Sequence, residues 1–307
     1  MRKTKTIGTL LAIALSIQGL AIAQTEKRTV MNPTVVTKLP KAVRETSGMA
    51  FHDGKIYTHN DSGNEPVIFV IDTATYQITQ KIKIKNAKNH DWEDICCDGT
   101  NLYVGDIGNN NGNRDNLRIY IVPLAEIPDS SNVEVMADKI RFYYADQTVF
   151  DYKRHQHDYD CEALMATDNY LYLFSKGWAT GTSRIYRLTK KPGRQVAQAV
   201  DWFNPDGLVT SADYDSENRQ IALVGYVKGI WEPFVYVINN FDENNVSAEQ
   251  GIRIALPNLI GSQTEGVCRY GANKYYISSE TNKISKATLF RIDISRFSST
   301  GKKNIRE

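Results

Sequence analysis

Acidic and hydroxyl side chains recur where apolar strands begin. The segments are ETSGMAFHDGKIYTHNDSGN from Glu45, DWEDICCDGTNLYVGDIGNN from Asp91, DCEALMATDNYLYLFSKGW from Asp160, TSADYDSENRQIALVGYVKG from Thr210 and TEGVCRYGANKYYISSETNK from Thr264. Each passes from a polar start through an apolar strand, a tight turn and a second strand into a polar loop. Aligning the strand starts superposes Ser47, Glu93, Glu162, Ser211 and Glu265, with Glu45, Asp91 and Asp160 two residues earlier. Carboxylates gathered at strand entrances repel one another and resist burial unless protonated or neutralised. A hard cation answers both problems. Ca²⁺ takes six to eight oxygens at about 2.3–2.6 Å and tolerates mixed carboxylate, hydroxyl, carbonyl and water ligands. No His or Cys pair shows zinc-ligand spacing. The pattern therefore predicts a central calcium ion on Ser47, Glu93, Glu162, Ser211 and Glu265.

Five aligned positions converge only if the elements carrying them are arranged in a ring. After Thr25 the chain is a succession of short runs rich in aromatic and β-branched residues, separated by Gly, Asn, Asp and Pro turns. KIYTHND, PVIFVIDT, LRIYIVPL and FVYVINN are examples, and no long stretch has helical periodicity. The spacing between aligned positions leaves room for four short strands in each unit, which is the blade of a β-propeller. The fifth unit has three strands before the sequence ends, and PTVVTKL, residues 33–39, supplies a fourth that closes the ring. The expectation is an all-β, five-bladed propeller with an extended loop around residues 147–158. A pair of β-sandwiches is the competing architecture, but it predicts no recurring acid-strand unit.

Charge and targeting signals narrow the setting. Lys+Arg number 37 against 35 Asp+Glu, a balance unlike that of a protein bound to nucleic acid by bulk basic charge. Arg2, Lys3 and Lys5 precede an apolar run ending in Ala-Ile-Ala at Ala23, the pattern of a secretory signal peptide. The organisation expected is a signal peptide over 1–23, an N-terminal extension over 24–32 and one propeller domain over 33–307. Export to the periplasm or medium follows, as a monomer with no membrane span. Cys96, Cys97, Cys161 and Cys268 could then form disulfides, or serve as small apolar residues of inner strands.

The ordered set Ser47, Glu93, Glu162, Ser211 and Glu265 resembles the central calcium site of the calcium-activated apyrases (soluble calcium-activated nucleotidases). ETSGMAFHDGKIYTHNDSG, DWEDICCDGTNLYVGDIG and TEGVCRY carry the local likeness. That resemblance implies a secreted five-bladed propeller that hydrolyses nucleoside diphosphates. Similar strands occur in exported SdiA-regulated and esterase-like phytase propellers. The chain departs from the apyrases at FSKGW, which offers Lys176 where that family pairs arginines.

Two functions remain open at this level. Hydrolysis of a phosphoanhydride or phosphoester requires a metal on the phosphoryl oxygens, cations to clamp them and a carboxylate to orient water. Asp61 or Asp106 would orient the water, Lys176, Arg114 and Lys228 would clamp, and Trp178 would stack a base. His90, His155 and His157 are acid–base candidates, and no Gly-x-Ser-x-Gly elbow points to a metal-free nucleophile. The alternative is a non-catalytic propeller that binds a protein or glycan, with calcium bracing the ring.

Overall fold

The computed structural model describes residues 29–298; the leader read over 1–23 lies outside the described residues. The protein is all-β, and its only helical elements among the described residues are short 3₁₀ turns. No helix is long and apolar enough to cross a membrane.

Twenty-one strands follow in chain order. They are β1 (Thr34–Lys38), β2 (Thr46–His52), β3 (Lys55–Asn60), β4 (Val67–Asp72), β5 (Ile78–Ile84), β6 (Trp92–Cys97) and β7 (Asn101–Asp106). Then come β8 (Leu117–Pro123), β9 (Asn132–Val135), β10 (Asp138–Tyr144), β11 (Cys161–Ala166), β12 (Tyr170–Ser175), β13 (Ser183–Thr189) and β14 (Gly193–Phe203). The last are β15 (Leu208–Asp215), β16 (Gln220–Val227), β17 (Glu232–Ile238), β18 (Ile252–Ala255), β19 (Thr264–Gly271), β20 (Lys274–Ser279) and β21 (Thr288–Asp293). Antiparallel pairing groups them as β2-β3-β4-β5, β6-β7-β8-β10, β11-β12-β13-β14, β15-β16-β17-β18 and β19-β20-β21-β1. The N-terminal strand β1 completes the last group by pairing with β21.

Each group buries both of its faces, because an apolar core separates it from the group before and the group after. Ile68 and Ile82 meet Ile95 and Val104 between the first and second groups. Ile119 and Phe142 meet Leu164 and Leu173 in the next core, and Phe174 meets Phe234 in the one after. Val235 meets Ile277 between the fourth and fifth, and Cys268 and Leu289 meet Met49 and Ile56 to return to the first. The cores thus follow one another around a closed cycle, the arrangement of a propeller. All four cysteines are free thiols.

Two seams run along the outside of the cycle. β9 leaves the second group to pair in parallel with β5, and β10 pairs in parallel with β14 of the third group. Thr29 and Met31, just ahead of β1, hydrogen-bond Ala255 on the edge of β18.

The innermost strands share one irregularity. Their ladders shift at Thr46/Gly48, Trp92/Asp94, Cys161/Ala163, Val209/Ser211 and Thr264/Gly266, leaving one extra residue in each. Such a bulge re-aims a side chain that strict alternation would send into a sheet face. The cores record the offset. Trp92 and Ile95 enter one core, Cys161 and Leu164 another, and Val209 and Ala212 a third, each pair three residues apart.

Candidate metal centre at the axial mouth

The bulged residues are Ser47, Glu93, Glu162, Thr210 and Glu265. Four of them, Ser47, Glu93, Glu162 and Glu265, line one polar pocket of about 200 Å³ together with Asp61, Lys176 and Glu280. The fourth group differs from the sequence alignment by one residue. Its bulge is Thr210, whose hydroxyl donates to the Thr264 carbonyl at 2.7 Å, and Ser211 does not line the pocket. Ser211 instead donates to Asp94 at 3.0 Å and accepts from Val267 N–H at 3.1 Å. A single-residue slip moves a strand side chain to the other face, so Ser211 is lost from the expected ligand ring. Tyr226 stands at the mouth for that group.

Asp94 is the residue that Ser211 serves, and sequence reasoning missed it. Fully buried, it accepts the backbone N–H groups of Ile95 and Leu164 at 2.9 Å each and of Ala212 at 3.2 Å. One carboxylate therefore ties the inner strands of the second, third and fourth groups. A Cβ on Gly48 would collide with Asp94, so the first group approaches it with bare backbone.

Carboxylates cluster on one wall of the mouth. Asp61 follows β3, Asp91 precedes β6 and Glu93 sits in the β6 bulge; one oxygen from each lies within 4.8 Å of the others. Among the described residues, Glu93 accepts no hydrogen bond although it is only 5% exposed. Glycine at position 108 in the loop beneath them leaves room for these carboxylates, since a Cβ there would meet Glu93 and Asp91 and force them to shift. Burial, then the Glu162 and Asp61 charges, pushes Glu93 well above the usual carboxylate range. Burial and Asp160 push Asp91 up to about 7. Burial pushes Glu265 up to about 7, and burial with Glu265 pushes Glu280 up to about 8. The wall therefore takes up protons readily, because burial and mutual repulsion outweigh the Lys176 and Arg114 charges that oppose them.

The opposite wall is cationic and aromatic. Lys176 Nζ lies 2.7 Å from Glu162 Oε2, both side chains about 95% buried at 5% and 6% exposure. Burial opposes the ammonium, but Glu162 holds it well above its ordinary value. The same nitrogen lies 5.1 Å from the Trp178 ring centroid and 5.2 Å from that of Tyr226. Trp178 donates its indole N–H to Asp160 at 2.7 Å and stacks on His155 at 3.9 Å. Lys228 Nζ stands 5.0 Å from the Trp178 ring. Arg154 and Gln263 also line the pocket, and neither they nor Tyr226 and Glu280 were singled out from sequence. Arg154 stood in the KRHQH loop and Glu280 in SSETNK, where single polar residues look like any solvated loop.

Four sequence candidates are placed differently. Asp106 is fully buried away from the pocket, where it pairs with Arg114 at 2.8 Å and Arg118 at 3.6 Å. Arg114 also donates to the Gly108 carbonyl at 2.6 Å, so the pair shapes the loop under the acids. His157 is held between Asn110 O and Tyr159 N, and His90 is exposed outside the pocket.

No family model and no curated protein matches the chain. Solved structures with a similar course include the hydrazine synthase of Kuenenia stuttgartiensis at 11% identity and TM-score 0.38, over 81% of this chain and 59% of that one. A glucose dehydrogenase is similar at 9% identity and TM-score 0.46, over 85% of this chain and 99% of that one. The Swd1 (Cps50) β-propeller domain of Myceliophteria thermophila is similar at 8% identity and TM-score 0.40, over 84% and 99%. This chain spans about three fifths of the length of the hydrazine synthase chain.

Proposed function

We propose that the five strand groups are the blades of a five-bladed propeller, exported through its N-terminal leader, whose axial mouth binds a hard divalent cation, calcium. The observation that carries the reading is the Asp61–Asp91–Glu93 triplet, with Glu93 buried, unpartnered and facing the pocket. An all-oxygen donor set suits Ca²⁺. Asp61, Asp91 and Glu93 would hold it, with the Ser47 hydroxyl beside them. Glu162 is excluded as a principal ligand because Lys176 already neutralises it. The ion would relieve the repulsion among the acids and stabilise the native ring.

The resulting activity is best read as cation-dependent binding of a small polar ligand. A second reading, calcium-dependent hydrolysis of a phosphoester, draws support from Arg154, His155 and Lys176 across the pocket from the acids. Volume weighs against a nucleotide. The mouth measures about 200 Å³, below the roughly 300–1,000 Å³ of pockets that enclose drug-sized ligands. Arg114 and Asp106 are also committed to each other, leaving fewer phosphate clamps than the apyrase-like reading requires.

Calorimetric titration of metal-stripped protein with CaCl₂ tests the ion. One site per chain is expected, weakened at least ~10-fold in Glu93→Gln, a loss of about 1.4 kcal/mol. Unchanged affinity in that variant would overturn the assignment. Assaying p-nitrophenyl phosphate and nucleoside diphosphates with and without Ca²⁺ separates the two readings, since turnover that requires the ion favours hydrolysis.

A further inference from the structure

Toward the outside of the second and third strand groups, arginines stand in register across three strands. Arg118 on β8 pairs with Arg141 on β10, which pairs with Arg194 on β14. Directly opposed residues share a face, and neighbouring strands lie about 4.8 Å apart. Like charges so placed destabilise a sheet. Asp106 on β7 continues the row and pairs with Arg118. Arg141 and Arg194 are exposed and form no ion pair or hydrogen bond among the described residues. The three arginines line a groove of about 480 Å³ with Tyr143 and Asp115, and Asp115 makes no ion pair among the described residues either. Tyr143, 52% exposed, supplies an apolar shelf beside the guanidinium groups. The local field reaches the neighbouring, half-exposed Lys139 on β10: burial, then Arg141 and Arg118, lowers its ammonium.

We propose that this row is a binding site for a tetrahedral oxyanion, a phosphate or sulfate group bridged between Arg141 and Arg194. Guanidinium forks match such oxygens in a bidentate manner, whereas lysines act as point charges. The row lies on the parallel seam between β10 and β14, where an anion would turn a repulsive contact into a bridging one. The oxyanion could be free in solution or carried by a lipid headgroup, and the two sources are separable.

Thermal melts of metal-stripped protein with increasing sodium phosphate, at constant ionic strength set with chloride, give the first arm. Phosphate salts also stabilise proteins in general by exclusion from their surface, so the comparison is between variants. Wild type should show a saturable rise in melting temperature beyond that of Arg141→Gln/Arg194→Gln. In chloride alone the double variant should melt at the same temperature as wild type or higher. A Lys81→Gln/Lys83→Gln control should respond to phosphate as wild type does. The second arm is co-sedimentation with vesicles of phosphatidylcholine alone or mixed with phosphatidylglycerol; arginine-dependent capture by the anionic vesicles would assign the oxyanion to a headgroup. The proposal fails if the arginine double variant follows wild type in both arms, or if wild type responds in neither.

Discussion

Replacing Lys176 by methionine removes the ammonium that neutralises Glu162 while keeping an unbranched apolar side chain in its place. The pair is 2.7 Å apart with side chains only 5% and 6% exposed, so solvent screens it little. Removing one partner of such a buried pair costs about 3–5 kcal/mol, because the remaining charge is stranded. Here the penalty is sharpened by Asp160 and Glu265, which already crowd Glu162. At about 2–4 °C per kcal/mol for a chain of this size, the melting temperature should fall by roughly 6–20 °C. Glu162→Gln/Lys176→Met should recover most of that loss, since both charges are gone. Lys85→Met, which breaks an exposed pair with Glu134, should cost no more than about 1 kcal/mol. The ion adds a second expectation: Lys176→Met should bind Ca²⁺ more tightly than wild type, having lost a like charge and released Glu162 as a ligand. Urea unfolding with and without Ca²⁺ reads all four proteins. A double variant no more stable than Lys176→Met would refute the stranded-charge argument, and weaker calcium binding by Lys176→Met would refute the competition.

Gly108→Ala should disturb the acid triplet, because its Cβ overlaps Glu93 and Asp91; calorimetry should show calcium binding reduced or lost while the far-UV spectrum stays β. Asp94→Ala should leave four buried donors without an acceptor. At about 1–3 kcal/mol for each orphaned group, the soluble yield or urea midpoint should collapse, with Asp94→Asn intermediate. Asp213 is pushed up to about 6, mainly by burial, from an ordinary 3.8. The folded state then holds the proton more tightly than the unfolded chain, so stability falls as pH rises from about 4 to 6, by roughly 2–3 kcal/mol. Asp213→Asn should lack that share of the decline, and parallel pH–stability curves for the two metal-stripped proteins would contradict it.

The ring was legible in the sequence because its repeat is written in residue types. Each unit opens on an acid or hydroxyl and alternates toward two buried faces, and β1 could be assigned to the last group from the missing fourth strand. The register of one unit was not read correctly, for a reason visible in the side chains. Trp92-Glu93-Asp94-Ile95, Cys161-Glu162-Ala163-Leu164 and Val209-Thr210-Ser211-Ala212 all place two core residues three apart around a bulge. Aligning on that spacing selects Thr210, whereas aligning on the hydroxyl of Ser211 hides the offset. The Lys176–Glu162 and Arg114–Asp106 pairs were out of reach, because a side chain's partner depends on which loops meet in space. The parallel seams were invisible too: β9 is four residues of unremarkable β pattern.

Those seams divide the cycle mechanically. The outer edges of the first, second and third groups are stitched together by β5–β9 and β10–β14, and those of the fourth and fifth by residues 29–31 along β18. Among the described residues, no strand pairing joins the third group to the fourth or the fifth to the first, although the Thr281 N–H donates to the Arg44 carbonyl at 2.8 Å beside the latter joint. The ring is therefore two arcs of linked sheets that meet at two joints without strand pairing. Asp61, Glu93, Glu162 and Lys176 belong to the longer arc, and Tyr226, Glu265 and Glu280 to the shorter. Across those joints the arcs are held mainly by side chains, Phe174 against Phe234 and the Asp94 carboxylate at one, Met49 and Ile56 against Cys268 and Leu289 at the other, so the width of the mouth is fixed there by packing and not by sheet hydrogen bonds.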